Sequence, residues 1–424
     1  MNVFKFGGAS VKDAAAVKNV KEILQLFSDD NLVVVISAMG KTTNALEKVV
    51  ESYCKQTGEA TTFFNEVKIF HTEIMDQLFS SPDHPVYEKV NNYFVEIDWV
   101  LEETPRDFDF VYDQLVAIGE LISTTIVSEW LNENKITNEW LDIRDYLLTD
   151  NNYREGKINW EESTTRVKEK FPKLFTPQNK IIITQGFIGS TSENYTTTLG
   201  REGSDYTAAI LGHILDADAV TIWKDVPGVL NADPKYFNDA QKLEQLSYLD
   251  AIELAYYGAS VIHPKTIKPL ENKGIPLYVK SFVNPQAKGT LIGKDLQTKP
   301  LVPSFIFKTN QVLISIAAKD FSFIAEENLS TIFASCANLG VKMNLMQNSA
   351  ISFSVCADDD AVKIPKLIEL LQKEYRVRYN NNLQLYTIRH YYPSTIEKLS
   401  QGRDILLEQR SRNTAQLVMK EEEK

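Results

Sequence analysis

The chain opens with Asn2-Val-Phe-Lys-Phe-Gly-Gly-Ala-Ser10, and this stretch decides how the fold begins. Val3–Phe6 is a short apolar run around one lysine, and Leu32–Ile36 is a second such run; both are typical of buried strands. Between them apolar side chains recur at helical spacing, at Ala14, Val17, Val20, Leu24 and Phe27. A strand, a helix and a strand in this order predict a parallel sheet covered by helices.

The composition is typical of a soluble globular protein with more than one domain. The chain has 424 residues, of which 43% are hydrophobic and 24% are charged, and its formal net charge is −12. An acidic chain argues against nucleic acid and anionic membranes as partners, because both bind basic faces. The three cysteines include no CxxC pair, and the five histidines show no metal-binding spacing. We therefore expect a cytoplasmic protein with no metal site of its own and no apolar run of membrane-spanning length.

A change of composition near Pro300–Pro303 predicts a boundary between two regions of the chain. Beyond it the apolar pattern predicts the βαββαβ order of a ferredoxin-like unit. Its six segments are Gln311–Ala317, Ala325–Leu339, Val341–Met346, Ile351–Ala357, Ala361–Glu374 and Asn382–Arg389. The remaining residues predict a short helix near Ser394–Gln401 and two further strands.

Two glycine-bearing loops follow predicted strands and carry charged side chains. The first contains Lys5, followed by Gly7 and Gly8, and the second is Thr198-Leu-Gly-Arg-Glu-Gly-Ser-Asp205, which contains Arg201. Such loops turn backbone N–H groups toward an anion, the lysine stabilises phosphoryl oxygens, and an arginine grips a carboxylate with two hydrogen bonds. Alone, Lys5 is explained more simply as an ordinary lysine at a strand end. Asp205 can also be an ordinary first-turn residue of a helix, but the concentration of Arg, Gly, Ser and Asp in five positions favours a functional loop.

Two further stretches carry polar side chains of the types that bind small acids. Ser37–Asn44 resembles the end of a Walker A loop, but Val35 stands where that motif needs a glycine, so a P-loop NTPase is rejected. Its hydroxyls suit a carboxylate. Glu120 lies in an apolar helix that we predict to be buried, and buried acids need partners. That partner is either a cation of the chain or the ammonium group of a ligand.

A third strand-end loop begins at Trp223-Lys-Asp-Val-Pro-Gly. Ligands of α/β sheets bind at such loops, so Lys224 and Lys235 can face phosphates and Asp225 can face a ribose or a base. A surface turn rich in proline and glycine explains the same residues without a ligand.

Together these loops resemble those of the aspartate kinases, members of the amino-acid kinase superfamily. The resemblance covers nearly the whole chain. The matching stretches are Lys5–Ser10, Ser37–Asn44, Gly119–Thr124, Thr198–Ala209, Trp223–Pro234 and Tyr257–Pro264. It implies an α/β, three-layer αβα sandwich with a mainly parallel sheet, followed by a ferredoxin-like ACT regulatory region. Residues 1–300 would be the catalytic domain, with 1–180 binding aspartate and 181–300 binding ATP, and residues 305–424 would be an ACT region whose second unit is abbreviated.

The resemblance also implies a reaction and a role for each matching residue. The enzyme would transfer the γ-phosphoryl group of ATP to the β-carboxylate of L-aspartate, giving 4-phospho-L-aspartate, the first step toward lysine, threonine and methionine. Mg²⁺ would be carried by the nucleotide. Catalysis would rest on Lys5, Asp205 and Arg201. Aspartate would be held by Ser37, Thr43, Glu120, Arg201 and Ser204. The nucleotide would be bound by Lys5, Gly7, Gly8, Ser10, Lys224, Asp225, Leu230, Lys235, Ser260 and Val261.

The chain departs from the family pattern at positions that bear on nucleotide binding and on regulation. Many relatives have lysine where Ser260 stands and arginine where Lys235 stands, so the nucleotide pocket is less basic here. Asn344 and Ala350 occupy positions where lysine-inhibited relatives present acids, which predicts weak or absent inhibition by lysine. A homodimer or larger homo-oligomer through the ACT region is expected, with a possible amino-acid effector. The alternatives are another superfamily kinase, acting on glutamate, acetylglutamate or UMP, and an amino-acid sensor without catalysis.

Overall fold

The computed structural model describes residues 1–259, 262–320 and 322–420. The chain divides into two compact units, each described here by itself. The first comprises Met1–Val229, Lys242–Ile252 and Val261–Thr298, and the second comprises Leu230–Gln241, Glu253–Ser260 and Lys299–Lys424.

The first unit is built on a mainly parallel sheet. Its strands are β1 Asn2–Phe6, β2 Leu32–Ile36, β3 Glu139–Leu141, β4 Ile181–Gln185, β5 Ile188–Ser190, β6 Thr196–Thr198, β7 Ala219–Lys224, β8 Gln245–Ser247, β9 Leu277–Ser281 and β10 Thr290–Gly293. Eight of them form one sheet in the order β3-β4-β2-β1-β7-β9-β10-β8, while β5 and β6 form a separate hairpin. Only the β9–β10 pair of the large sheet is antiparallel. The predicted βαβ opening is confirmed, because β1 and β2 pair in parallel.

Helices cover this sheet and supply most of the remaining core. They are α1 Ala14–Gln25, α2 Thr42–Lys55, α3 Ala60–Leu78, α4 Pro85–Glu102, α5 Phe108–Val116, α6 Ile118–Glu133, α7 Trp160–Leu174, α8 Gly203–Ile214, the part of α9 (Tyr248–Tyr257) up to Ile252, and α10 Pro264–Lys273. Helix α1 begins after Asp13, whose carboxylate accepts the Ala16 N–H at 2.8 Å. Its predicted apolar face, with Val17 and Val20, is buried in the core cluster. The αβα arrangement predicted for this part of the chain is therefore confirmed.

One helical stretch of the first unit is more apolar than the sequence analysis allowed. Phe108–Glu133 is long and apolar enough to cross a membrane by length and composition alone, so the expectation that no such run exists was wrong. However, 89% of its most apolar window is buried inside the fold. It is apolar on nearly all sides because it is a core helix, surrounded by protein rather than by water.

The second unit contains an antiparallel sheet of six strands and three helices. Its elements are β11 Ser304–Ala318, α11 Glu326–Asn338, β12 Met343–Asn348, β13 Ser352–Asp358, α12 Lys363–Gln372, β14 Tyr375–Arg389, α13 Pro393–Ser400, β15 Ile405–Arg410 and β16 Thr414–Lys420. The sheet order is β12-β13-β11-β14-β16-β15. The first four of these strands have the order of a ferredoxin-like βαββαβ unit, so this part of the predicted fold class is confirmed.

The strand boundaries in the second unit differ from the prediction in one informative way. Asn382–Arg389 was predicted as the last strand of the βαββαβ unit, but β14 begins at Tyr375, and Tyr375–Asn380 pairs with Leu313–Ala318. Further along β14, Leu385–Arg389 pairs with Ser304–Lys308, and Leu383–Arg389 pairs with β16. The first half of β14 carries alternating arginines and exposed side chains, so it lacked the apolar signal of a strand. Its second half, α13, β15 and β16 form a further, shorter group of elements.

Candidate active site

The carboxyl ends of neighbouring strands bring the predicted catalytic residues together. Lys5 of β1 lies in register with Val35 of β2 and Ile222 of β7, so the residues that follow these strands share one edge of the sheet. A cavity of about 720 Å³ opens there. Its lining includes eight of the predicted residues: Lys5, Ser37, Thr43, Glu120, Arg201, Ser204, Asp205 and Lys224. Segments far apart in the sequence therefore form one polar cavity.

Two lysines and one aspartate form a buried charge cluster in this cavity. The Nζ atom of Lys5 lies 2.6 Å from Oδ1 of Asp205, and the Nζ atom of Lys224 lies 3.6 Å from Oδ2. Burial by itself would raise the pKa of Asp205, but the two ammonium groups outweigh it and hold that pKa below its usual range. The cluster therefore holds two positive charges and one negative charge, which leaves it attractive to a further anion.

Glu120 contributes a buried carboxyl group that the protein does not fully satisfy. Only 2% of the residue is exposed, and its Oε2 atom has no hydrogen-bond partner. Burial raises its pKa to about 8, against the smaller opposing effects of the Ala38 N–H and the Lys5 ammonium. An unpaired buried acid oxygen that faces a cavity is a ready partner for a cationic or hydrogen-bond-donating ligand.

The loop before α8 carries an exposed arginine. Gly200 and Glu202 adopt left-handed backbone conformations, with φ of +75° and +53°, and α8 begins at Gly203. The Glu202 carboxylate accepts the His263 N–H at 2.9 Å, which fixes the loop. Arg201 is exposed, and within the described part of the chain it forms no ion pair or hydrogen bond. Its guanidinium group is therefore available to an anion in the cavity.

Two glycines are required where loops of the site cross each other. A Cβ atom on Gly8 would lie 2.6 Å from the carbonyl oxygen of Gly40 and 2.9 Å from that of Ala38. A Cβ atom on Gly186 would lie 2.4 Å from the Cβ of Ser204. Side chains are excluded at both positions by backbone or by a neighbouring β-carbon, neither of which can move cheaply. These close contacts bring the strand-end loops within reach of one ligand.

Some predicted nucleotide residues lie outside the lining of this cavity. Gly7 follows Lys5 by two residues, and a Cβ atom on Gly7 would lie 3.2 Å from the Nζ atom of Lys5. The buried hydroxyl of Ser10 has no hydrogen-bond partner. Asp225 is exposed just after β7. Leu230 and Lys235 belong to the second unit, and Ser260 and Val261 lie outside the described residues.

The cavity also has a wall that the sequence analysis missed. It is formed by Asp109, Tyr112, Asn152, Tyr153, Arg154 and Glu155. Behind it lies Asp113, which is fully buried and whose carboxylate accepts the N–H groups of Arg154 and Thr198 at 2.9 and 2.8 Å. Burial raises the pKa of Asp113 to about 6, against these hydrogen bonds. An acid within the apolar run of α5 was the available signal for this anchor.

No protein-built metal site is found in the part of the chain that the structure describes. Within those residues no group of three or more histidine, cysteine, aspartate or glutamate side chains is placed to hold a metal ion. Asp205, one of the buried acids that line the cavity, is already engaged by two lysines.

The fold and the cavity together define a kinase of small acids. The profile of the amino acid kinase family matches residues 1–281, which is more than half of the chain. The chain is 32% identical over 362 residues to lysine-sensitive aspartokinase 3 of Escherichia coli, an alignment that covers 84% of this chain and 78% of that protein. It is 31% identical over 380 residues to aspartokinase 1, chloroplastic, of Arabidopsis thaliana, covering 87% of this chain and 65% of that one.

A solved structure agrees with these relatives. The crystal structure of E. coli aspartokinase III in complex with aspartate and ADP superposes with a TM-score of 0.82 at 27% identity, over 99% of this chain and 96% of that one. The chain therefore belongs to the amino acid kinase family and, within it, to the aspartokinases. The predictions of an aspartate kinase and of its place in amino-acid biosynthesis are confirmed.

Proposed function

We propose that the chain transfers the γ-phosphoryl group of ATP to the β-carboxylate of L-aspartate, giving 4-phospho-L-aspartate on the route to lysine, threonine and methionine. The observation that carries the proposal is the polarity of one cavity. It places the acid oxygen of Glu120, which lacks a partner, with the open guanidinium of Arg201 and the ammonium groups of Lys5 and Lys224. An amino acid with two carboxylates, next to a phosphate chain, matches these groups in the sign of their charge.

Binding of aspartate is assigned to the residues predicted for it. Glu120 would accept hydrogen bonds from the α-ammonium group, and Arg201 would bind the α-carboxylate. The hydroxyl-bearing residues Ser37, Thr43 and Ser204 would orient the acid within the same cavity. The neighbour of known structure that contains aspartate and ADP supports this class of ligands.

Phosphoryl transfer is assigned to Lys5 and Asp205, with Arg201 holding the acceptor in line. The acceptor carboxylate is already ionised near neutral pH, so no general base is required. Catalysis then consists of aligning two anions and neutralising their charge. Lys5 would stabilise the transferring oxygens, and Asp205 would position both Lys5 and Lys224, because it forms ion pairs with each.

Nucleotide binding is assigned to the residues predicted for it from the sequence. These are Lys5, Gly7, Gly8, Ser10, Lys224, Asp225, Leu230, Lys235, Ser260 and Val261. The described residues contain no carboxylate cluster that fits a resident Mg²⁺. We therefore propose that the ion arrives with the triphosphate.

The remaining organisational assignments stay proposals. Residues 1–180 would form the aspartate lobe, residues 181–300 the ATP lobe, and residues 305–424 the ACT region. We propose a homodimer or larger homo-oligomer through that region, since ferredoxin-like regulatory units commonly pair side by side. We also propose a cytoplasmic location and an amino-acid effector.

The test combines an assay of catalysis with a choice of acceptors. ADP release is coupled to NADH oxidation, and the acyl phosphate is trapped with hydroxylamine, using aspartate, glutamate or acetylglutamate. Trapped product with aspartate alone supports the proposal. Product with another acid would indicate a different kinase of the family, and none with any acid would indicate a sensor.

A variant tests the role of the lysine at the sheet edge. Lys5→Ala is expected to lower kcat by about a thousandfold, as for other lost donors to a developing anion. Lys18→Ala, on the exposed face of α1, is the matched control and should keep full turnover. Unchanged turnover in Lys5→Ala would remove Lys5 from the mechanism.

A further inference from the structure

We propose that Arg154 is a second guanidinium group of the acid cavity, which binds the α-carboxylate of the substrate together with Arg201 and thereby sets substrate specificity. The inference rests on the proposed function. Arg154 lines the same cavity as Arg201, Lys5 and Glu120. The resemblance to the aspartate kinases assigns no role to Arg154, and the residue types around Arg154 form no recognisable motif.

The turn that carries Arg154 lies directly against the loop that carries Arg201. A Cβ atom on Gly200 would lie 3.2 Å from the carbonyl oxygen of Arg154, so the two stretches are in contact. The N–H of Gly156 also donates to the carbonyl oxygen of Thr198 at 2.9 Å. Both arginines therefore lie on adjoining backbone and line one cavity, so we infer that they share one carboxylate of the ligand.

A buried acid fixes both stretches at once. Asp113 accepts the Arg154 N–H at 2.9 Å and the Thr198 N–H and hydroxyl at 2.8 and 2.7 Å. Asp113 is fully buried, and hydrogen bonds to a buried carboxylate hold geometry tightly. The backbone of Arg154 is thus positioned relative to β6 and the loop that follows it.

The backbone conformation at Arg154 is unfavourable for its side chain. Its φ is +67°, in the left-handed region that favours glycine. Glycine would adopt this turn without strain. A long charged side chain at a strained position beside a ligand cavity is the pattern expected of a residue that functions there.

The present partner of the guanidinium group can be replaced by a ligand. Arg154 Nη1 lies 3.2 Å from Oδ1 of Asp109, and the two side chains are 46% and 54% exposed. Exposed ion pairs of this kind contribute little, so exchange for a substrate carboxylate costs little. The guanidinium group also stacks on the ring of Tyr112, at 4.5 Å from its centre, and the Tyr112 hydroxyl donates to Glu47 at 2.7 Å. Stacking keeps the guanidinium plane in place while its partner changes.

The first experiment compares kinetic constants in variants of Arg154. In Arg154→Gly the backbone strain is relieved, so the chain is expected to remain folded. Its KM for aspartate should be about tenfold higher than that of the wild type, while its kcat should stay within about twofold of the wild-type value. KM for ATP should not change. Arg154→Lys, which keeps the charge but loses the planar fork, should show a smaller rise. Arg166→Gln removes another exposed arginine, paired with Glu162 at 2.6 Å on α7, and should leave all constants unchanged.

The second experiment uses a substrate that lacks the α-carboxylate charge. L-Aspartic acid α-amide keeps the β-carboxylate that accepts the phosphoryl group. The preference for aspartate is measured as kcat/KM with aspartate divided by kcat/KM with the amide. This ratio should be above one in the wild type and about tenfold lower in Arg154→Gly. A residue that only shapes the turn would change both substrates equally.

The outcomes separate this inference from the proposed function. An unchanged KM for aspartate in Arg154→Gly, or an equal loss with aspartate and with its α-amide, would overturn the role of Arg154. If the wild type instead phosphorylated glutamate, the proposed substrate would be wrong. The same comparison, made with glutamate and its α-amide, would then decide the role of Arg154.

Discussion

The raised pKa of Glu120 makes the binding of aspartate depend on pH in a defined direction. The pKa of this carboxyl group is about 8, so at pH 7 about ten of every eleven molecules carry it protonated. The α-ammonium group of aspartate needs the carboxylate form. Binding at pH 7 should therefore release about 0.9 proton to solvent, if the bound ammonium brings the pKa of Glu120 well below 7.

The size of the effect on affinity follows from the same value. The apparent Kd is the intrinsic Kd multiplied by one plus the ratio of protonated to ionised Glu120. With a pKa of about 8, the apparent Kd should fall about ninefold from pH 6 to pH 7 and about fivefold from pH 7 to pH 8. Asp205 does not titrate in this range, because its two lysines outweigh the effect of burial and hold its pKa below its usual value.

Calorimetric titration of the protein with aspartate at pH 6, 7 and 8 measures the apparent Kd. Repeating each titration in buffers of different ionisation enthalpy measures the number of protons released. In Glu120→Gln both the proton release and the pH dependence should disappear, and affinity at pH 8 should fall at least about tenfold, because a charge-assisted contact is lost. Glu66→Gln, on the exposed face of α3, is the matched control. Equal Kd values at pH 6 and pH 8 in the wild type, or no released proton, would refute this account of Glu120.

Two further predictions concern stability and regulation. Burial lowers the pKa of His71 to about 4 from 6.5, so the folded state resists protonation and stability is lost as pH falls from 6.5 toward 4. Between pH 7 and pH 5 the free energy of unfolding should fall by about 2 kcal/mol more in the wild type than in His71→Gln. Urea unfolding at the two pH values measures this, and an equal fall in both proteins would contradict the prediction. Lysine should inhibit weakly or not at all, because Asn344 is uncharged and already bonded to Lys308, Gln311 and Asp358, each at 2.8 Å. A lysine titration that gave half-inhibition at micromolar concentration would show this prediction to be wrong.

Local patterns in the sequence predicted the elements that bury one continuous apolar face. The opening strand and helix and the order of elements beyond residue 311 follow from periodicity, because each signal lies within one short window. Tyr375–Asn380 was missed since one of its faces is polar and exposed, and its pairing partner is about sixty residues away. Pairing over that distance is not encoded in a local window.

Some features of the candidate site could be predicted from the sequence, and others could not. The sequence by itself determined which groups are chemically suited to a phosphate and a small acid: the lysine of β1, the arginine and aspartate before and within α8, and the acid in the first turn of α6. Only the tertiary structure decided that Glu120 is left with an unsatisfied oxygen, and that Asp113 ties the turn of Arg154 to the loop of Arg201. Residue type is carried by each position alone, whereas partners, burial and pKa depend on segments that meet only when the parallel strands come into register.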